Sequence, residues 1–256
     1  MKFICLHGAY GSAKAFETQL APFVSVVEKA NSGKFTWVDG AHEASPPEGF
    51  TNYFGPPPWR RHINFDGVSV LDDIIDKIRE FPEGACAEDA IRELVGGEAV
   101  FHGPAVRSAL ERIFKMIDDD PEIDGILGYS EGATLASTLV LEERRRFEEE
   151  GIPRRIKCGV FFAGWPPLKL GADGKVEPLL ADECEDVIDI PTCHIYVDLL
   201  ACSYIHGSMA LYGMCDADTA ILFDHGKGHT VPRDSKTVVE LAGAIGEAMV
   251  KVEVAA

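Results

Sequence analysis

A serine between two glycines lies near the middle of the chain, in the pentapeptide Gly128-Tyr129-Ser130-Glu131-Gly132. A G-x-S-x-G sequence between a strand and a helix is typical of a nucleophile elbow, a sharp turn that presents a serine hydroxyl at the edge of a sheet. Both glycines are needed because side chains there would collide with the neighbouring strand or helix. The pattern predicts Ser130 as a catalytic nucleophile; the alternative is a glycine-rich turn without a catalytic role.

A general base must accompany this serine, because a serine hydroxyl is a poor nucleophile at neutral pH. Two candidates, His225 and His229, follow the last predicted strand. We favour His229, since Gly226 and Gly228 allow the backbone to carry it over the edge of the sheet. The H-x-x-x-H spacing also raises a metal site. The intervening glycines disfavour a helix and no glutamate accompanies the histidines, so we predict no metal.

The carboxylate that orients the histidine is expected after the strand predicted at 192–197 and before the histidine itself. Asp198 comes directly after that strand, and the next acidic residue is Asp216. We predict Asp198 as the third catalytic residue. Asp216, Asp218 and Asp224 are the alternatives, and the first two are also typical of turns.

Backbone N–H groups are expected to stabilise the oxyanion that forms when the serine attacks a carbonyl. One belongs to the residue after the nucleophile, Glu131, and the other to the loop after an early strand. That loop is His7-Gly8-Ala9-Tyr10, so we predict Ala9 or Tyr10 as the second donor and a structural role for the histidine. Trp165 follows another strand and is predicted to line the substrate pocket.

Strands alternate with helices along most of the chain, which is typical of an α/β fold with a parallel sheet. Six strands are predicted at about 2–6, 35–38, 125–127, 158–163, 192–197 and 220–223. Helices are predicted at about 13–30, 69–81, 87–95, 104–117, 133–149 and 235–252. The charged run 142–150 is predicted to be the solvated end of one of these helices.

The segment 40–66 interrupts the alternation with prolines and aromatic residues. Long irregular loops are usually functional or disordered, and the aromatic content favours the first. We therefore predict one domain, 1–256, in which residues 40–118 contain a cap or pocket-wall insertion. The alternative is a proline-rich surface loop. Within the segment, Trp59-Arg60-Arg61 is predicted to be exposed, as a contact for an acidic carrier protein or as a solvated edge of the cap.

Composition excludes several classes of partner. The net charge of −18 over 256 residues argues against nucleic acid or an anionic membrane surface. No apolar run approaches the roughly 20 residues of a membrane span, and the first residues do not resemble a secretion signal. The seven cysteines show no C-x-x-C spacing and several lie in apolar runs, which suits reduced thiols. We expect a cytoplasmic protein.

Motifs along nearly the whole chain resemble a family of serine hydrolases widespread in fungi, a branch of the α/β-hydrolase fold. The matching segments are His7-Gly8, 53–59, 128–133, 161–165 and 224–232. The resemblance implies a mostly parallel sheet with helices on both faces, with Ser130 as nucleophile and His229 as base. Members of the family include thioesterases and esterases encoded with fungal polyketide pathways, which release or trim acyl products.

One segment departs from the family pattern. The family usually carries a G-x-x-D-P turn after the sixth strand, whereas this chain has no Asp-Pro pair in 197–204. If Cys202-Ser203 occupies that place, the acid of the triad is missing or is supplied by Asp198. Loss of the acid in a serine protease costs about 10⁴ in kcat.

The function expected from the sequence is cleavage of an ester or thioester of a small-molecule, apolar acyl substrate, without a cofactor. The acyl group is expected either free or bound to a carrier protein as a thioester. The alternative, motivated by the missing Asp-Pro pair, is a hydrolase-like protein that binds or cyclises a pathway intermediate without hydrolysis.

Overall fold

The computed structural model of the chain has a six-stranded sheet at its centre, with the strands in the order β10-β9-β6-β5-β1-β2. It describes residues 1–30, 32–46, 48–49, 51–64, 86–95, 101–171, 174–196, 204–226 and 230–255. In chain order the strands are β1 (Lys2–Leu6), β2 (Lys34–Val38), β3 (His42–Glu43), β4 (Arg60–Arg61), β5 (Ile123–Tyr129), β6 (Cys158–Phe162), β7 (Leu168–Leu170), β8 (Val176–Pro178), β9 (Thr192–Tyr196) and β10 (Ala220–Asp224). Every neighbouring pair in the central sheet is parallel, which confirms the predicted fold class and all six predicted strands.

Helices cover both faces of the sheet. Those in the described residues are α1 (Ala13–Lys29), α2 (Thr51–Phe54), α3 (Ala87–Val95), α4 (Gly103–Asp119), α5 (Glu131–Glu150), α6 (Tyr204–Gly213) and α7 (Ser235–Ala255). Helices α1 and α7 pack together on one face, and α4 and α5 lie on the other. The helix predicted at 69–81 lies outside the described residues, so the proposed cap insertion stays a prediction.

The strand β1 shows why a continuous apolar run forms a central parallel strand. Phe3 and Cys5 point into the core beside α1 and α7, whereas Ile4 and Leu6 point into the core beside α4 and α5. All four side chains are buried. Strands buried on both faces lack the apolar–polar alternation of half-exposed strands. Burial of each large apolar side chain contributes about 1.5–3 kcal/mol.

Helix α1 begins where the sequence predicts. The Ser12 hydroxyl accepts a hydrogen bond of 3.2 Å from the Ala15 N–H, as an N-cap does. Helix α7 is capped in the same way, since Asp234 Oδ1 accepts a 3.0 Å bond from the Thr237 N–H. Gly151 ends α5 with a φ of 72°, a conformation that glycine adopts at little steric cost.

Several short elements were not predicted from the sequence. Strands β3 and β4 form an antiparallel pair within the irregular segment, and β7 and β8 form a second pair. Helix α6, of ten residues, was also missed, because its residues are mostly apolar or small and show no amphipathic 3.6-residue repeat. Elements of two or three residues carry no readable periodicity, because a pattern needs several turns or alternations to stand out.

The charged run at the end of α5 is only partly solvated, so the prediction for it was wrong at Glu143. That side chain is 3% exposed, and its carboxylate accepts bonds of 2.7 Å from the Arg155 N–H and 3.2 Å from the Ile156 N–H. Burial raises the pKa of the Glu143 carboxyl although these bonds oppose the shift. The residue joins α5 to the segment that leads into β6.

Within the described part of the chain, no helix is both long enough and apolar enough to cross a membrane.

Candidate active site

The turn around Ser130 has the geometry of a nucleophile elbow. Ser130 lies between β5 and α5 with φ 52° and ψ −119°. Its N–H donates a 2.9 Å hydrogen bond to the Phe162 carbonyl of the adjacent strand, and its own carbonyl accepts a 2.8 Å bond from Ala133 at the start of the helix. The side chain is half-buried. The strand, turn and helix predicted from the sequence are therefore all present.

Both flanking glycines are required by close backbone contacts. A Cβ on Gly128 would lie 2.5 Å from the Ala133 Cα and would also overlap the Gly132 carbonyl. A Cβ on Gly132 would lie 2.6 Å from the His7 carbonyl oxygen and would overlap that of Leu6. Real Cβ atoms do not approach backbone atoms this closely, so α5 can start this close to the end of β5 and to β1 only without these side chains.

Backbone strain is concentrated at one edge of the sheet. Three non-glycine residues in the described ranges have positive φ: Tyr10 at 58°, Ser130 at 52° and Ala163 at 45°. They follow β1, β5 and β6, which are neighbours in the sheet. Such conformations cost about 1–3 kcal/mol each and cluster at active sites and ligand clamps. The carboxyl edge of these three strands is therefore the candidate active site.

This strain leads to a stability prediction. We expect Ser130→Gly to be more stable than Ser130→Ala by about 1 kcal/mol, since glycine adopts positive φ without the clash that a Cβ causes. Both variants lack the hydroxyl, so the comparison isolates the backbone. Urea unfolding of the two proteins measures the difference. Equal midpoints would show that the turn stores no strain.

The loop after β1 lies directly against the nucleophile. A Cβ on Gly8 would lie 3.2 Å from the Ser130 Cβ, so the backbone of this loop reaches the serine. The predicted donors Ala9 and Tyr10 both line the cavity that contains Ser130. Glu131 is the first residue of α5, and its N–H therefore has no carbonyl partner within the helix. The structure brings all the predicted oxyanion donors to one place.

His7 has a structural role beneath this loop, as predicted. It is buried, its Nε2 accepts a 2.9 Å bond from the Gly40 N–H, and its Nδ1 donates a 2.7 Å bond to the Gly8 carbonyl. The His62 ring packs on it at a tilt of 38°, with the ring centres 4.4 Å apart, and neither ring nitrogen of His62 has a hydrogen-bond partner among the described residues. Burial lowers the pKa of His7 and lowers that of His62 further, so both rings are neutral supports.

Arg61 is buried, which corrects the prediction that Trp59-Arg60-Arg61 is exposed. Its side chain is 6% exposed and forms an ion pair with Glu131, whose side chain is 4% exposed. Arg61 Nε donates a 2.7 Å hydrogen bond to Glu131 Oε2, and a second guanidinium N–H donates to the same oxygen. Trp59 and Arg60 are half-buried. The positive charge of Arg61 is therefore paired with Glu131 inside the site and is not presented at the surface.

A cavity of about 410 Å³ opens beside Ser130. Its apolar wall comes from separate parts of the fold and includes Phe16, Phe54, Ile91, Val95, Phe101, Trp165, Leu168 and Val176. Its polar lining includes Ser12, Gln19, Arg61, Thr134, Thr230 and Arg233. This size and this mainly apolar lining are typical of a small-molecule site.

Trp165 lies in this cavity wall, as predicted, and Gly207 explains how it is held. A Cβ on Gly207 would lie 2.9 Å from the indole Nε1 and Cδ1 atoms, so the ring packs directly on the backbone of α6. The buried residues Ile91, Leu180 and Ala210 form the small cluster behind the ring. An unpredicted helix therefore positions a predicted pocket residue.

The proposed base and acid, His229 and Asp198, both lie outside the described residues. Their neighbours in the chain are described. Thr230, which follows His229, lines the cavity. The strand that precedes Asp198 is β9, which lies between β10 and β6 in the sheet. Asp198 as the acid of the triad, and the alternative of an incomplete triad, therefore stay predictions.

The described alternatives have local structural roles. The alternative base His225 is buried at the end of β10, where its backbone N–H donates a 3.4 Å hydrogen bond to the Tyr196 carbonyl. Asp224 Oδ1 accepts a 2.8 Å bond from the Gly226 N–H. Asp216 Oδ1 accepts a 3.0 Å bond from the Asp218 N–H, which confirms that these two acids form a turn.

Comparison with known families agrees with this geometry. The family described as serine hydrolase (FSH1) matches residues 1–241. The chain belongs to the FSH1 serine hydrolase family. This confirms the resemblance seen in the sequence motifs.

Similar proteins include fungal hydrolases and an esterase. The chain is 26% identical over 244 residues to hydrolase phiM of Talaromyces stipitatus, covering 93% of this chain and 83% of that protein. It is 25% identical over 262 residues to esterase FPY3 of Fusarium mangiferae, covering 98% of each. A carboxylesterase structure from Mesorhizobium loti superposes with a TM-score of 0.51 at 14% identity, covering 94% of this chain and 86% of that one. That likeness shows the fold, which is the α/β-hydrolase fold.

This FSH1 family member is therefore a serine hydrolase of the esterase type. The sequence motifs pointed to the turn at Ser130 and to the loop after β1; Phe54 was predicted only as part of an aromatic segment, and Arg61 was not predicted as a site residue. The aromatic character of the segment 40–66 pointed to a pocket wall. The pairing of Arg61 with Glu131 had no local signal, because 70 positions separate them.

Proposed function

We propose that this serine hydrolase cleaves an ester or thioester of a large apolar acyl group. The observation that carries the proposal is the 410 Å³ cavity beside Ser130, whose wall is mainly aliphatic and aromatic. An apolar chain seated there would be removed from water, and each buried methylene contributes about 0.8 kcal/mol. The polar side chains in the lining suit the polar ester or thioester group, which would lie at the serine.

The proposed mechanism is acyl transfer to serine. Ser130 Oγ attacks the carbonyl carbon while His229 takes the hydroxyl proton, and the N–H groups of Glu131 and of Ala9 or Tyr10 hold the oxyanion. His229 then returns the proton to the leaving oxygen or sulfur, which gives an acyl-enzyme. Water, deprotonated by His229, attacks the acyl carbon; the bond from that carbon to Ser130 Oγ then breaks, Oγ takes the proton back from His229, and the acid is released. Asp198 is proposed to orient the imidazole.

The leaving group is proposed to include a thiol borne by a carrier protein. Arg233 is exposed and also lines the cavity, so it lies where the cavity meets solvent. A cation in that position suits the phosphate of a phosphopantetheine arm. Because Arg61 is buried, we propose Arg233, in place of Trp59-Arg60-Arg61, as the residue that contacts the carrier protein's arm.

We place this hydrolysis in the cytoplasm and in fungal polyketide biosynthesis. The family resemblance to thioesterases of such pathways supports the role in polyketide biosynthesis. The six cysteines in the described residues are all free thiols, and Cys5, Cys158, Cys193 and Cys215 are buried, which suits a reducing compartment.

Labelling with a fluorophosphonate tests the function. We expect one label per chain, located on Ser130 by peptide mapping, because the probe reacts only with an activated serine. With p-nitrophenyl esters from acetate to octanoate, kcat/KM should rise about fourfold per methylene while the chain remains within the cavity. A protein that binds acyl ligands but takes no label would instead favour the alternative, a binding or cyclising protein without hydrolysis.

A further inference from the structure

We propose that Arg61 is a positioning residue for the oxyanion hole, which neutralises the Glu131 carboxylate and holds the Tyr10 loop in place. The inference rests on the proposed function, since it concerns the same serine and the same oxyanion donors. It assigns an effect on catalysis to a residue that acts through Glu131 and the Tyr10 loop.

On one side, Arg61 and its neighbours fix Glu131. The guanidinium donates two hydrogen bonds to Glu131 Oε2, one of them from Nε at 2.7 Å. The other carboxylate oxygen accepts a 2.8 Å bond from the His62 N–H and a 3.4 Å bond from the Ile63 N–H. Four N–H groups from one short segment therefore hold the residue whose backbone N–H is a proposed oxyanion donor.

On the other side, the same guanidinium contacts the second donor loop. Its Cζ atom lies 5.4 Å from the centre of the Tyr10 ring, within the range of a cation–π contact. The Tyr10 ring also packs on Phe54 at 4.9 Å. Tyr10 has a φ of 58°, a conformation that persists only when surrounding contacts enforce it.

The backbone of Arg61 is itself held in place. The preceding residue, Arg60, donates a 2.9 Å bond from its N–H to the Gly11 carbonyl of the oxyanion loop. Gly40 packs against the Arg61 peptide so closely that a Cβ would lie 2.9 Å from the Arg61 nitrogen. The segment 60–63 thus lies between the two halves of the oxyanion hole and is bonded to both.

Charge explains why this bridge affects catalysis. The carboxylate of Glu131, which is buried, and the developing oxyanion carry the same sign and lie near the same turn. Like charges repel strongly where the effective dielectric constant is low. Arg61 cancels the carboxylate charge before the oxyanion forms, so the donors act on the oxyanion without an opposing field.

The test compares Arg61→Met, Glu131→Gln and the double variant with the wild type. We expect Arg61→Met to lower kcat by about 10²-fold with KM within about threefold, the size of effect seen when an oxyanion donor is lost. An alkyl boronic acid, which forms a tetrahedral adduct with the serine, should bind more weakly by a similar factor. In the double variant the uncompensated charge is gone, and we expect at least tenfold recovery of kcat over Arg61→Met.

Arg154→Met is the matched control. It removes an arginine that makes two hydrogen bonds to Asp189, at 2.9 and 2.6 Å, far from the site in the fold. We expect wild-type kcat from it. If Arg61→Met does not fold, Arg61→Lys, which keeps the charge, and the double variant Arg61→Met/Glu131→Gln, which leaves no unpaired carboxylate, carry the comparison; both are expected to fold and to keep kcat within about tenfold of the wild type.

The outcomes separate this inference from the proposed function. A wild-type enzyme with no esterase activity and no labelling overturns both. An active wild type, with Arg61→Met unchanged in kcat and in boronic acid affinity, overturns the role of Arg61 alone. The same holds if the double variant is as slow as Arg61→Met, because the loss then does not come from the Glu131 charge.

Discussion

Ser130→Ala is expected to reduce kcat for ester hydrolysis by about 10⁶-fold, the loss found when the nucleophile of a serine hydrolase is removed. The physical reason is that no other group forms the acyl-enzyme, so only binding and the oxyanion donors still act. The fold should persist, because alanine keeps the Cβ and removes only the hydroxyl of a half-buried side chain. Steady-state kinetics on a p-nitrophenyl ester and urea unfolding measure the two quantities.

His229→Ala should cause a loss of similar size, and the double variant Ser130→Ala/His229→Ala should lose little more. Residues that act as one unit are not additive. His225→Asn is the matched comparison, because that histidine also follows β10 but is buried against the strand end. If His225→Asn abolished turnover while His229→Ala did not, the assignment of the base would be wrong.

The same kinetic assay decides the question of the acid. We expect Asp198→Asn to lower kcat by about 10⁴-fold if this residue orients the imidazole. Asp224→Asn should have a small effect, since the Asp224 carboxylate serves the turn at Gly226. Unchanged kcat in Asp198→Asn would point to an incomplete triad or to another acid.

Gly132→Ala is expected to destabilise the protein by about 3 kcal/mol or more, which is at the upper end of the cost of overpacking. The added Cβ would meet the carbonyl oxygens of Leu6 and His7, at 2.6 Å for the latter. Both oxygens belong to the backbone at the end of the central strand β1, so no side-chain rotation relieves the overlap. Urea unfolding should show a lower midpoint, and fluorophosphonate labelling should be lost because α5 shifts away from the oxyanion loop.

Gly243→Ala is the control for this substitution. Gly243 lies within α7, and a Cβ there would meet no atom within 4 Å. Alanine is favoured over glycine inside a helix by about 0.8–1 kcal/mol, so this variant should be more stable than the wild type. If both glycine variants changed the unfolding midpoint in the same direction, the close approach of α5 to β1 would not be the cause of the effect.

Local patterns made much of the fold predictable. The six central strands and α3 were predicted close to their observed bounds, because runs of apolar residues and their 3.6-residue repeats are properties of short segments. The starts of α1 and α7 were likewise predicted, and there the side chains of Ser12 and Asp234 bond to a backbone N–H three residues away. Interactions of short range leave their signal within a few residues.

Interactions between distant segments left no such signal. The irregular segment 40–66 was recognised only as a pocket wall, whereas the structure shows that β3 and β4 pair within it and deliver Arg61 to Glu131. Likewise Glu143 belongs to a charged run, and only the approach of the segment at Arg155 shows that it is buried. A side chain's charge is visible in the sequence, but its partner is chosen by the packing of the whole chain.

By itself, the sequence determined the class of fold, the family and the turn that carries Ser130, because a nucleophile elbow is a contiguous strand, glycine turn and helix. Only the tertiary structure decided what surrounds that turn. It placed the loop of Gly8 against the serine, buried Arg61 against Glu131 and formed an apolar cavity of about 410 Å³ from segments far apart in the chain. The physical reason is that a site is a set of distances between residues, and those distances follow from the packing of the sheet and its helices.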